Sequence, residues 1–228
     1  MNEEASFAEL IARSGHELRS PLTSIQGFSS TLVKRWSRFS EDQRLQFVET
    51  IHTDSERMSR IVTEVLDLAR IEARRLELQL GPVELSPSVE MVVEKLGSRH
   101  SIERIKADVP NGVSAWTDRE RFERGLENLL ENALKFSDGP VWLEARRADE
   151  VVTVSVRDEG PGIEPQRLPH IFSGPGPRDQ HAPTGSGLGL ALMYRVLRAQ
   201  DATIEVHSEV GSGASFVVTL PVKGRVHR

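Results

Sequence analysis

The 228-residue sequence contains no cysteine. That excludes disulfide frameworks, thiolate zinc sites and cysteine nucleophiles, and merely allows a reducing compartment. It also lacks any apolar run near the roughly 18 residues needed to span a bilayer. Its first residues, Met1 to Phe7 with Glu3 and Glu4, do not have the basic and then apolar layout of a signal peptide. The expectation is a soluble chain with no membrane segment, in the cytoplasm. No long basic block accompanies the net charge of −5, which argues against nucleic-acid binding. There is no internal repeat and no low-complexity tract. What is present is globular composition, 38% hydrophobic and 28% charged, enough for one large domain or two small ones.

From Ile11 onward, apolar or small residues recur in alternating steps of four and three: Ile11, Gly15, Leu18, Leu22, Ile25, Ser29, Leu32 and Trp36. That is a helical seam with a bundle-type heptad period. Ser37 to Ser40 interrupt it, and Ser40 followed by Glu41, Asp42 and Gln43 reads as an N-cap with acids in the first turn. A second stripe runs through Val48, Ile51, Ser55, Met58, Val62, Val65 and Ala69, weakens near Arg74 and Arg75, and is expected to end by Gly81-Pro82. Two such helices form a hairpin with more apolar stripe than it can bury alone, so two hairpins are expected to pair into a four-helix bundle as a homodimer.

Beyond Pro82 the periodicity changes. A helix is expected near Ser86 to Leu96, short alternating runs at Ile105 to Val109 and Val113 to Ala115, and a helix from Arg119 to Phe136. Val141 to Arg147 and Val151 to Arg157 read as a strand hairpin. A Gly- and Pro-rich stretch from Ser173 to Gly189 leads into a helix to about Gln200, and strands follow at Thr203 to Ser208 and Ala214 to Leu220. Strands and helices mixed without regular alternation indicate an α+β sandwich, with helices on one face of a mostly antiparallel sheet. The expected domains are residues 1–80 and 81–228.

His16 sits one position past the seam, so its imidazole is expected on the flank of the helix, with Glu17 beside it and Ser20 four residues on along the same face. Pro21 then removes a backbone donor inside an apolar-periodic helix, at a cost of about 3 kcal/mol. An imidazole with a pKa near ~6.5 is mostly neutral at neutral pH, so one ring nitrogen keeps a free lone pair and can attack a phosphoryl group. A carboxylate on the other nitrogen would orient the ring, and Glu17 is the candidate.

Three further segments suit a nucleotide. Asn128 and Asn132 lie four apart on one helical face with Lys135 three beyond. Amide oxygens are neutral, hard ligands for a Mg²⁺ that carries phosphate oxygens, and lysine is a point charge for phosphate. Asp158-Glu159-Gly160-Pro161-Gly162 places a carboxylate at a strand end, able to accept the exocyclic amine of adenine while the glycines admit the ring. Gly185-Ser186-Gly187-Leu188-Gly189 opens a helix and offers backbone N–H groups to phosphate. It is neither the dinucleotide fingerprint nor a Walker loop. Gly211-Ser212-Gly213, between the last two strands, fits a hairpin turn equally well.

The run from His16 to Thr23 resembles the phosphoacceptor motif of sensor histidine kinases, and the later segments follow in that family's order: the N box, the adenine box, a short F box at Ile171-Phe172 and the second glycine box. The resemblance covers about Phe7 to Leu220. It implies a dimerisation and phosphoacceptor hairpin followed by a Bergerat-type ATP-binding domain. By the same resemblance Asn128 and Asn132 hold Mg²⁺, Lys135 touches phosphate and Asp158 takes adenine, with Gly160, Gly162, Phe172, Gly185, Ser186, Gly187, Leu188 and Gly189 around the nucleotide. The γ-phosphoryl of ATP passes to His16, then to an aspartate on a response-regulator receiver domain. The hairpin starts almost at residue 1, which leaves signal input to a separate partner or to a larger, membrane-bound parent.

The chain departs from the family at Gly15, where Ser is common, at Ser20, where Thr or Asn is usual, and after Phe172, where it reads Ser173-Gly174-Pro175-Gly176-Pro177-Arg178. Two competing readings are a hydrolytic ATPase of the same superfamily and a silent signalling scaffold. Asn128 stands where hydrolytic members place a glutamate, which favours phosphoryl transfer, and Glu127 beside it counts the other way.

Overall fold

The structure, a computed structural model, describes residues 7–97, 101–173 and 188–224. The chain divides into two compact units, Asn2–Leu76 and Glu77–Arg228.

The first unit is a helical hairpin: α1 (Phe7–Arg35), a single 3₁₀ turn (Trp36–Arg38) and α2 (Glu41–Glu72). Ser40 begins α2 as expected, through a capping box. Its Oγ accepts from Gln43 N–H at 3.3 Å and its own N–H donates to Gln43 Oε1 at 3.0 Å. The closed end is pinned by aromatic rings, with Phe47 stacked on Phe28 at 5.2 Å and meeting Phe39 edge-on at 5.0 Å. Each heptad stripe divides in two. Leu18, Ile25 and Leu32 on α1, and Ile51, Met58 and Val65 on α2, are buried or half-buried, whereas Gly15, Leu22, Trp36, Val48, Ser55 and Val62 are exposed. One row of each helix is mostly covered and the other mostly faces solvent, with Ile11 exposed on the first and Ser29 and Ala69 half-buried on the second.

In the second unit, β1 (Leu80–Glu84) pairs antiparallel with β3 (Ser114–Asp118) as a separate two-stranded sheet. The sequence reading missed β1. α2 ends at Glu72, ahead of Gly81-Pro82, and those residues lie inside the strand, with Pro82 opposite Trp116. Proline and glycine read as stop signals, yet an edge strand of a two-stranded sheet can take a proline because its outer N–H groups need no ladder partner.

The main sheet has the order β2-β4-β5-β7-β6, formed by β2 (Ile105–Asp108), β4 (Val141–Ala148), β5 (Val151–Arg157), β7 (Ala214–Pro221) and β6 (Thr203–Ser208). Only the β2–β4 pairing is parallel. Alternation puts Val141, Leu143, Ala145, Val152, Val154, Val156, Phe216, Val218 and Leu220 on one buried face. That face shares a core with α3 (Leu85–Gly97), α4 (Arg119–Phe136) and α5 (Leu188–Ala199). Leu126, Leu129 and Leu130 of α4 are at most 1% exposed, each contributing about 1.5–3 kcal/mol on burial.

α4 and α5 run antiparallel and in close contact. A Cβ at Gly125 would lie 3.0 Å from Met193 Cε, and one at Gly189 would run into the Asn128 amide. Near the opposite ends Gln200 Oε1 accepts from Thr117 Oγ1 at 2.9 Å and from Asp118 N–H at 3.1 Å. Asp118 caps α4 through Arg121 N–H at 3.1 Å, and its other oxygen accepts from Gln79 N–H at 2.8 Å.

Candidate functional site

Asp158 is the first residue after β5 and is 7% exposed. Burial pushes its carboxyl above the usual carboxylate range, and backbone hydrogen bonds from Gly160 and Ala214 oppose that shift. The Gly160 N–H donates to Oδ1 at 2.8 Å, and the Asp158 N–H donates to Ala214 O at 2.9 Å. The carboxylate is therefore fixed at both backbone and side chain.

The glycines of this loop are required by close approach. A Cβ on Gly160 would sit 2.6 Å from the Phe136 carbonyl oxygen, which ends α4, and 2.8 Å from Asp158 Oδ1. Gly162 has φ +72° and a Cβ there would meet the Glu209 carbonyl. The end of α4 and the Asp158 loop are thus in backbone contact, which places Phe136, 42% exposed, beside the buried carboxylate. Lys135 Nζ lies 5.1 Å from the Phe136 ring centroid.

Asn128 and Asn132 are both half-buried on α4. The Asn128 amide faces Gly189 in the first turn of α5, and its Nδ2 is buried without a hydrogen-bond partner among the described residues. A buried amide donor of this kind matches a phosphate acceptor. Glu127, one residue earlier, faces another way: Lys95 of α3 binds its carboxylate at 2.6 Å. Phe172 stacks on Tyr194 of α5 at 5.3 Å and 14°. Leu188 is buried at the start of α5. Gly185, Ser186, Gly187 and Arg178 lie outside the described residues.

The sequence reading overlooked three residues here. Arg104 ties down the end of α4, donating to Gly139 O at 2.9 Å, to Leu134 O at 3.4 Å and to Ser137 O. Ser208 joins the Asp158 loop to the last hairpin. Phe136 entered the sequence reading only as the last residue of the expected helix. Arg104 and Ser208 act across 30 or more residues, and no local pattern signals such contacts.

In the hairpin unit, His16 and Ser20 are exposed on α1, and the helix continues unbroken through buried Pro21. Arg19 Nη1 is 3.5 Å from His16 Nδ1. Glu17, read from sequence as the group that orients the ring, points inward and meets Arg57 of α2 at 3.3 Å. Successive helical residues are about 100° apart, so the imidazole faces out where the carboxylate faces in.

Comparison with known proteins fits both units. Residues 8–74 match the family described as His Kinase A (phospho-acceptor) domain. Residues 117–224 match the one described as Histidine kinase-, DNA gyrase B-, and HSP90-like ATPase. The chain belongs to the sensor histidine kinases. Its kinase core is 32% identical over 95% of the chain to the circadian input-output histidine kinase CikA of Synechococcus elongatus, of which it covers 30%. The crystal structure of full-length ShkA in complex with AMPPNP matches 98% of the chain and 47% of that protein, at 29% identity and a TM-score of 0.65. The histidine kinase ThkA, solved with the response regulator protein TrrA, shares the fold at 22% identity and a TM-score of 0.64, over 94% of the chain and 61% of that protein. The chain spans about a third of the length of the curated relatives it matches, between 27% and 46%. The second unit is an ATP-binding domain, and no described helix is long and apolar enough to cross a membrane.

Proposed function

We propose that this kinase core is an ATP-dependent protein-histidine autokinase that phosphorylates His16 and passes the phosphoryl group to a response-regulator aspartate. The observation that carries this reading is an exposed His16 within the phosphoacceptor match, on the same chain as a nucleotide-binding unit built around buried Asp158. The TrrA complex of ThkA supports the partner class.

Asp158 accepts the adenine amine, Gly160 and Gly162 admit the ring, and exposed Phe136 offers it a stacking face. Lys135 and the Gly185–Gly189 segment take the phosphates. A Mg²⁺ ion fits the donor set. Asn128 and Asn132, both half-buried and one turn apart on α4, offer amide oxygens to an ion whose charge phosphate meets. Asn128 and Asn132 would hold it, and it would supply charge neutralisation at the transferring group. His16 supplies the attacking nitrogen; a P–N bond forms as the bond to the ADP oxygen breaks. Glu17 would have to release Arg57 to reach the imidazole, and Ser20 lies one turn from the phosphorylated ring.

Two observations favour this over the alternatives. Glu127, the one carboxylate beside the position where hydrolytic relatives place their base, is engaged by Lys95. Neither His16 nor Asp158 is lost, as a silent scaffold would allow. The exposed heptad rows support a homodimer, since a second hairpin would cover them. A cytoplasmic location, as the kinase portion of a longer sensor, fits the short coverage of the relatives.

The test is incubation with γ-labelled ATP and Mg²⁺. Wild type is expected to take up acid-labile, alkali-stable label, and His16→Gln to take up none while still binding AMPPNP. Label that persists in His16→Gln would overturn the assignment.

A further inference from the structure

We propose that Ser208, the last residue of β6, is the positioning residue that holds the Asp158 carboxylate in its adenine-selecting place; the inference rests on the reading of Asp158 as the adenine acceptor. The Asp158 carboxylate accepts from the N–H of Gly160, a residue of the loop that follows it, so its position depends on where that loop lies. The Asp158 N–H reaches Ala214 O on β7, and beyond it residues 159–163 leave the sheet.

That departing loop lies against the turn between β6 and β7. Gly211 N–H donates to Pro161 O at 2.8 Å. A Cβ on Gly162 would run into the Glu209 carbonyl, and one on Gly213, at φ +83°, into the Asp158 carbonyl. Two loops are therefore stacked backbone to backbone, with glycine wherever they touch. Apart from the Gly211–Pro161 hydrogen bond, such contacts bring the chains close without interlocking them, because glycine has no side chain.

Ser208 supplies the lock. Its Oγ accepts from Ile163 N–H at 2.9 Å and donates to Gly213 O at 2.6 Å. A hydroxyl is both donor and acceptor, so one group satisfies both loops. Ser208 pairs with Ala214 in the β6–β7 ladder, next to the residue whose carbonyl and amide both reach Asp158. The hydroxyl thus fixes the far end of the Asp158 loop and the strand that carries the near end. Removing it leaves the Ile163 N–H and the Gly213 carbonyl without this partner and leaves the loop tied to the turn by the Gly211–Pro161 bond.

A hydroxyl that only stabilised the hairpin would affect every nucleotide alike. A hydroxyl that positions Asp158 affects adenine most, because Asp158 reads the base and the other groups read phosphate. The experiment compares equilibrium binding of Mg-AMPPNP and Mg-GMPPNP to the full chain as wild type, Ser208→Ala, Ser208→Thr and Asp158→Asn, well below each melting temperature. Ser208→Ala is expected to weaken AMPPNP by about tenfold, and to move the AMPPNP over GMPPNP preference toward that of Asp158→Asn. The loss should fall on KM for ATP more than on kcat, and Ser208→Thr, which keeps the hydroxyl, should restore the preference. Equal losses for both nucleotides, or an unchanged preference in Ser208→Ala while Asp158→Asn loses it, overturn the proposal. A preference that survives in Asp158→Asn removes the adenine reading itself.

Discussion

Replacing Gly162 by alanine tests the packing of the Asp158 loop more directly than any other single change. Gly162 and Gly211 both have left-handed backbone, at φ +72° and +84°, so alanine at either carries the same conformational penalty of about 1–2 kcal/mol. They differ in space. A Cβ on Gly211 meets nothing within 4 Å, whereas one on Gly162 meets the Glu209 carbonyl oxygen, carbon and the Val210 Cα. Those are backbone atoms of a turn already bonded to Pro161, so they cannot swing aside as a side chain would. Overpacking of this kind costs about 1–3 kcal/mol beyond the backbone term. Gly211→Ala is therefore expected to lose about 1–2 kcal/mol and Gly162→Ala about 2–5 kcal/mol, with a difference of about 1–3 kcal/mol between them.

The assay is urea unfolding followed by tryptophan fluorescence. Because the chain has two units, whole-chain two-state treatment fails. In a Trp36→Phe background the remaining tryptophans, Trp116 and Trp142, both belong to the 77–228 unit and report on it alone. Equal losses for the two alanine variants, within about 0.5 kcal/mol, would refute the argument that backbone contact with Glu209 dictates glycine at 162.

Burial raises the Asp158 pKa in the folded state, so the folded protein binds more protons than the unfolded chain between the ordinary carboxylate value and the raised one, and stability falls as pH rises through that window. Without nucleotide, wild type should lose stability relative to Asp158→Asn over that window; a difference that is flat with pH, measured by urea midpoints, would contradict the assigned burial. In the hairpin, Val62→Glu places a charge on the exposed heptad row, twice in a symmetric dimer. Sedimentation equilibrium should show association weakened by at least about 100-fold, and an unchanged dimer, or a wild-type monomer, would remove the four-helix bundle.

The periodic elements were legible in the sequence because each obeys a local rule. Arg119 to Phe136, Val151 to Arg157 and Thr203 to Ser208 carry their bounds in their own apolar spacing. β1 was not legible, since a Gly-Pro pair reads as a stop and only the partner strand β3 makes it a strand. The site divides in the same way. His16, Asn128, Asn132 and Asp158 are legible as residue types at fixed spacings suited to phosphoryl transfer, and the order of the motifs points to the family.

Tertiary structure alone decided the rest. It turned Glu17 toward Arg57 and Glu127 toward Lys95, each away from the role its sequence neighbour suggested. It also recruited Arg104 to the end of α4 and Ser208 to the Asp158 loop, over separations of 30 to 45 residues. A periodic pattern records which way a side chain faces on its own helix or strand. Which group arrives from elsewhere to meet it depends on how the elements pack, and that is set by the whole core at once.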